Sequence, residues 1–407
     1  MIYLDYNATS PVRPDVRQRM AAFLEGNFGN PSSLHAAGRQ ARAAVEAVRA
    51  QILAALGDPT GQLIFTSGGT EADNLALKGI ARALRSKGNH LMVSSVEHHA
   101  VLHAAEALVK EGFRVTVIPV DRYGTVDLQA LEKEVTPQTV LISVMHANNE
   151  VGTIQSVEEI SRMARERGIL FHTDAVQSFG KIDVNVRRLG ADLASISSHK
   201  LGGPKGAGAL YLRQGIRVQS ILHGGPHEHG FRAGTENAPG IVGMGAAADL
   251  SLAEKAGGVL QRVERLRDRL QAGLFEKIPE IELNGHPTHR LPGTLNVSLK
   301  DCHGETLLMA LDLAGTCVST GSACSSGSTE PSHVLVAMGL PAARIEGSIR
   351  FSLGWGTTEV EIEEVLQKVP PIVERIRKGQ RHWEERSGEA ISSLKSRLPR
   401  PPSADSQ

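Results

Sequence analysis

Residues 193–213 read LASISSHKLGGPKGAGALYLR. Two short apolar runs rich in β-formers, LASIS (193–197) and GALYLR (208–213), flank a polar break that carries Lys200 and a glycine-rich loop. Runs of this length and composition predict buried strands. The same kind of run recurs upstream as LMVSSV (91–96), RVTVIPV (114–120), VLISVM (140–145) and ILFHT (169–173), with amphipathic helical stretches between them. That alternation predicts an α/β fold whose sheet is covered on both faces.

Four of the six runs end on chemistry. LMVSSVE leads into His98, VLISVMHAN into Asn149, ILFHT into Asp174 with Gln177 a turn later, and LASISSH into Lys200. In open α/β sheets, ligands bind beyond the carboxyl ends of the strands, so these side chains are expected to converge on one site. Solvated turns would equally account for any one of them alone. Thr66-Ser-Gly-Gly-Thr70 precedes the helical stretch EADNLALKGIARAL, which puts backbone N–H groups and the Thr70 hydroxyl at the positive end of a helix dipole. N-capping by Thr70 is the structural alternative. Neither this turn nor Gly202–Gly208 matches a Walker A or GxGxxG pattern.

A lysine able to form a Schiff base, an upstream carboxylate for a pyridine nitrogen and a helix N-terminus for a phosphate are together what pyridoxal 5'-phosphate requires. In that scheme Lys200 binds the aldehyde and becomes the base at the substrate α-carbon, and Asp174 keeps the ring nitrogen protonated. His98 stacks on the ring. Gln177 and Ser197-Ser198-His199 serve the phenolic oxygen and the phosphate.

Composition narrows the field. The chain has 407 residues, with Lys+Arg and Asp+Glu balanced at 44 each, so no global field draws it to nucleic acid or to an anionic membrane. Three cysteines without CxxC spacing, Cys302, Cys317 and Cys324, argue against a disulfide framework or a thiolate zinc site and fit a reducing cytoplasm. The start of the chain has no signal-peptide pattern and no apolar run reaches about 18 residues, so a soluble protein is expected. Cys324 lies in STGSACSSGS (319–328), where small residues predict an exposed loop and a working thiol. Cys317 reads as a core residue and Cys302 as a loop thiol without a role. The spacing of His223, His227 and His229 resembles a metal site, but no metal is expected there.

The stripe Val259, Val263, Leu266, Leu270 and Leu274 predicts one long helix over about Ser251 to Phe275, bridging to a second domain. A later helix with Ile362, Val365, Leu366 and Val369 on one face is expected to bend or break at Pro370-Pro371. From about Glu385 the chain turns polar, ending in LPRPPSADSQ, and is read as a disordered tail.

The motifs YLDYNATSP, SGGTEADN, VEHHAV, HANNEVG, HTDAVQSFGK, SSHKLGGPKGAGALY, FRAGTEN, STGSACSSG and SIRFSLG occur in that order. Together they resemble the cysteine desulfurases of the NifS/IscS type, in the class V aminotransferase family of fold-type-I pyridoxal-phosphate enzymes. The resemblance runs from about Ile2 to about Ile376. It implies a large domain (15–255) with a mainly parallel seven-stranded sheet between helices. It also implies a smaller α+β domain, formed by residues 1–14 and 256–384, that carries the cysteine loop. It implies that Lys200 carries the cofactor, Asp174 meets the pyridine nitrogen, His98 stacks and Gln177 meets the phenolic oxygen. Gly69, Thr70, Ser197 and His199 would bind the phosphate, and Thr235 would reach the phosphate of a partner subunit in a homodimer. Asn149 and Arg350 would hold the carboxylate of L-cysteine.

Cys324 would attack the substrate sulfur, in what looks like the family's long loop, leaving alanine and a persulfide for a sulfur acceptor such as an iron–sulfur scaffold. His98 or the substrate amine would help form the Cys324 thiolate. A selenocysteine lyase or an aminotransferase of the same fold is the alternative activity, although an aminotransferase has no use for Cys324. A binding scaffold without chemistry is disfavoured by the intact Lys200, Asp174 and Cys324. Arg232 and Lys205 are further anion partners or simple surface charges. Trp355-Gly356 stands where many relatives have Arg-Phe, which predicts altered packing near the entrance.

Overall fold

The computed structural model describes residues 1–320 and 330–397. Its thirteen strands in the described residues are β1 (Ile2–Tyr3), β2 (Gln62–Thr66), β3 (His90–Ser94), β4 (Arg114–Ile118), β5 (Thr139–Ser143), β6 (Leu170–Asp174), β7 (Leu193–Ser197), β8 (Gly208–Leu212), β9 (Ile281–Asn284), β10 (Thr294–Leu299), β11 (Thr316–Cys317), β12 (Ser319–Thr320) and β13 (Ser348–Ser352). The main sheet has seven strands in the order β2-β8-β7-β6-β5-β3-β4. Neighbours from β7 to β4 run parallel, and β8 lies antiparallel to both β7 and β2. Strands β5, β7 and β8 are buried along their whole length, as expected of strands covered on both faces.

The six predicted strands are all present. The seventh, β2, went unread because QLIFT is short, opens on a polar residue and runs directly into the glycine turn. It forms because Thr66 pairs with Gly208, which lets the Gly68 backbone lie against β8: a Cβ on Gly208 would come within 2.6 Å of Gly68 Cα. This contact fixes the 66–70 turn beside the segment that carries Lys200.

A second sheet, β12-β13-β10-β9, is antiparallel throughout. Ile2 and Leu4 join it in one apolar cluster with Leu295, Val297, Ile349, Phe351 and the inner faces of the helices Val259–Lys277 and Glu359–Arg397. The amino terminus thus returns to the C-terminal half, with β1 paired in parallel to β11.

One helix expectation is corrected, and of the bend or break expected at Pro370-Pro371 the break does not occur. The long helix foreseen over 251–275 is two, Ala238–Ala256 and Val259–Lys277, because Gly258 takes the left-handed conformation (φ 79°) and ends the first at Gly257. The last helix passes through Pro370-Pro371 without ending. Two prolines remove two backbone donors, but Val365, Leu366, Val369, Ile372 and Val373 are all buried in the second cluster and hold both halves to the same surface. The helix reaches Arg397, beyond the point where composition predicts an unfolded tail; residues 398–407 lie outside the described residues. Cys302 is in a loop, as expected, but buried in the second cluster, and Cys317 is half-buried on β11.

Candidate active site

Beyond the carboxyl ends of β3, β5, β6 and β7 lies a cleft of about 310 Å³. Gly69, Thr70, His98, Asn149, Asp174, Gln177, Ser197, His199, Lys200 and Arg350 all line it. Four strand ends and one helix N-terminus therefore meet, as strand-end reasoning predicts. The structure adds Asn7, Ala8, Asp73, Met145 and Val176 to the wall.

Lys200 follows β7 on a single 3-10 turn (Ser198–Lys200), and its Nζ donates to the carbonyl oxygens of Asn7 (2.6 Å) and Ala8 (2.7 Å). Asp174 ends β6; its carboxylate accepts the Val176 N–H at 2.8 Å. Burial pushes Asp174 up to about 6, against the pull of that N–H and of the Lys200 charge. Asp73, fully buried behind it, is held well above the ordinary carboxylate range by burial and by Asp174. Glu97 is pushed up to about 8 by burial. Asp73 and Asp174 line this wall, and Asp174, ionised at physiological pH, would stabilise a positive charge such as a protonated ring nitrogen.

His98 caps the helix His99–Lys110 by accepting the Ala100 N–H at Nδ1 (3.1 Å). Burial, then the Lys200 charge, lowers it to about 4, so the ring is neutral at physiological pH. His199, lowered to about 4 by burial and Lys200, is also neutral and contacts the Thr9 hydroxyl at 3.1 Å.

The helix Gly69–Ala83 starts from Gly68 with no side-chain cap, so Thr70 is inside the helix and not its cap. A Cβ on Gly69 would lie 2.7 Å from Val176 Cγ2, which leaves room only for glycine on that wall. Ser197 Oγ is buried beside it without a hydrogen-bond partner. An uncapped helix N-terminus and an orphaned hydroxyl are what a phosphate group would satisfy, and the donor set fits pyridoxal phosphate.

Arg350, on β13, is 1% exposed and is among the largest fully buried side chains. Its NH1 donates to the Asn149 carbonyl (2.9 Å) and its NH2 to Asp5 (2.8 Å), while Nε is buried with no partner. The guanidinium thus keeps N–H groups beyond these two bonds, and Arg350 lines the cleft.

A model of the aminotransferase class-V family matches residues 2–365. The chain belongs to this family. Its cofactor is pyridoxal 5'-phosphate. The chain is 50% identical over 376 residues to the cysteine desulfurase IscS of Dictyoglomus turgidum, covering 92% of this chain and 95% of that one. It is 49% identical over 376 residues to the cysteine desulfurase IscS of Methanosarcina thermophila, covering 92% and 93%. A solved NifS-like protein superimposes with a TM-score of 0.86 at 38% identity, covering 92% of this chain and 99% of that one.

Not every expected residue of this class-V chain is in the cleft. Thr235 lies in a separate hollow with Ser67, Arg232, Glu236 and Asn237. Arg232 is occupied by an ion pair with Glu71 (2.8 Å), the structural fate of such a charge. His227 accepts the Gly234 N–H, and no group of three or more metal-ligating side chains occurs among the described residues. Trp355 packs under the Arg13 guanidinium (4.9 Å) and its carbonyl accepts from Arg262. Cys324 lies outside the described residues.

Sequence reading missed Asn7 as a site residue. Its backbone oxygen accepts from Lys200 and Gln177, and its side chain donates to Asn149 and Thr294, yet it stands far from all of them in the chain. The motif YLDYNATSP was the only signal. Asp73 was equally hidden inside SGGTEADN. No helix among the described residues is long and apolar enough to cross a membrane.

Proposed function

We propose that this cleft removes sulfur from L-cysteine and leaves it as a persulfide on Cys324, with alanine as the other product. The reading is carried by one observation: a lysine, a buried carboxylate, an uncapped helix N-terminus and a buried arginine with a spare donor line a single cavity. The relatives named cysteine desulfurase support it at 49–50% identity.

Thr70, Ser197 Oγ and His199 would hold the cofactor's phosphate, Asp174 its pyridine nitrogen and Gln177 its phenolic oxygen. When bound, pyridoxal phosphate supplies an electron sink for charge developing at the substrate α-carbon. Lys200 Nζ takes the α-proton, acting as general base from a position already fixed by the Asn7 and Ala8 carbonyls. Neutral His98 offers a flat face without adding charge. Arg350 and Asn149 hold the substrate carboxylate. The Cys324 thiolate then attacks the substrate sulfur: an S–S bond forms, the Cβ–S bond breaks, and the electron pair left on carbon is protonated to give the methyl group of alanine.

A second copy of the chain would place its Thr235 at the phosphate, which accounts for that residue standing outside its own cleft. A sulfur acceptor such as an iron–sulfur scaffold, in the cytoplasm, would collect the persulfide. The test measures alanine release from L-cysteine together with alkylation and mass spectrometry of Cys324. Lys200→Ala should lose the visible absorbance of the bound cofactor, whereas Cys324→Ala should keep it and release no sulfur. Sulfur release at the wild-type rate from Cys324→Ala would remove that residue from the mechanism.

A further inference from the structure

Lys181 ends HTDAVQSFGK and reads as a solvated lysine, yet its Nζ turns inward. Gly180, left-handed at φ 76°, makes the turn possible: a Cβ there would lie 2.6 Å from Leu201 Cδ2. Lys181 Nζ donates to Gln177 Oε1 at 2.8 Å and to Asn7 Oδ1 at 3.2 Å. On its other side Gln177 donates from Nε2 to the Asn7 carbonyl at 2.8 Å, the same oxygen that receives Lys200 Nζ. An ammonium group only donates and a carbonyl only accepts, so these two neighbours leave the Gln177 amide one orientation. Its oxygen must face Lys181 and its NH2 must face the Asn7 carbonyl.

We propose that Lys181 is a positioning residue which locks the Gln177 amide so that an N–H, not a carbonyl oxygen, is presented to the phenolic oxygen of the cofactor. The inference rests on the reading above that the cleft holds pyridoxal phosphate. Asn7 completes the lock, because its own side chain is fixed by Thr294 (2.9 Å) and Asn149 (3.1 Å). Asn7 and Lys200 line the cleft and, together with Lys181, a second, small space of about 50 Å³ that the Arg13–Glu254 ion pair also borders. The like charges of Lys200 and Arg350, after burial, lower Lys181 to about 7. Below that value Lys181 is the ammonium that the two acceptor oxygens it faces, Gln177 Oε1 and Asn7 Oδ1, require.

Spectrophotometric pH titration of the holoenzyme tests the lock. A donor to the phenolic oxygen favours its anionic form and lowers the pH at which the lysine-bound cofactor loses its proton. Lys181→Met should therefore move that midpoint upward by about one pH unit, the size of one hydrogen bond to a charged group. Gln177→Ala should move it similarly, and the double variant no further than either single one. Lys181→Ala, whose lost volume opens on the space already behind it, serves in the same way should methionine not fit. An unshifted midpoint in the Lys181 variants would overturn the proposal. So would shifts that add in the double variant, since Lys181 would then act by its charge alone. Absence of a visible band from the wild-type protein would instead sink the cofactor reading itself.

Discussion

Replacing Arg350 by lysine keeps a positive charge on β13 and removes the fork. In the structure the guanidinium serves the Asn149 carbonyl and Asp5 through one N–H on each terminal nitrogen, and its fork keeps further N–H groups for a third partner. Lysine has three donors on one atom and cannot reach Asn149, Asp5 and a substrate carboxylate at once. If the two structural partners keep the ammonium, the substrate loses one charge-assisted hydrogen bond, worth about 1.5–3 kcal/mol. At about 1.4 kcal/mol per factor of ten, kcat/KM for L-cysteine should fall roughly 10- to 150-fold. The loss should sit mainly in KM, because the carboxylate is bound alike before and during reaction. The assay is alanine release across a range of L-cysteine concentrations, with the spectroscopic dissociation constant of L-alanine measured beside it. Both should weaken by the same factor while the visible band of the bound cofactor stays. A folded Arg350→Lys protein with KM and alanine affinity within twofold of wild type would show that Arg350 is structural.

Two predictions concern stability. Glu97 is held near 8 in the folded chain against an ordinary value of 4.5, so the unfolded chain gives up its proton first and stability falls as pH rises between those values. Glu97→Gln should flatten the decline between pH 5.5 and 8 by a few kcal/mol in denaturant titrations, leaving a residual slope from Glu150, held near 7; parallel curves for the two proteins would contradict the buried-acid account. Glu228 accepts both guanidinium nitrogens of Arg49 at 2.8 Å and the Phe65 N–H at 2.8 Å, all out of water. Glu228→Ala leaves Arg49 only its half-exposed partner Glu46 and the Leu63 carbonyl, and should cost about 2–4 kcal/mol, read as a lower denaturant midpoint, whereas Arg49→Met combined with Glu228→Leu should recover most of it. Recovery absent in the double variant would mean the pair is not the source of the loss.

The parallel strands were legible because burial on both faces writes itself as an apolar run, and the polar group after each run followed from where such sheets bind ligands. The break at Gly258 was not, since the apolar stripe of Val259 to Leu274 continues smoothly past it in helical register and only the left-handed φ ends the first helix. Asn7 shows a deeper reason. A hydrogen-bond hub carries no periodicity, and its partners lie up to 345 residues away, on β13. What the sequence displays at that position is a polar residue in a turn-like stretch, the most ordinary thing a chain can show. Its significance comes from β1 and Leu4 being drawn back onto the second sheet, which lays residues 5–9 across the mouth of the cleft. Lys200 is therefore positioned by the far end of the chain as much as by its own strand, and anything that loosens β1 from β11 should reach the reactive amine.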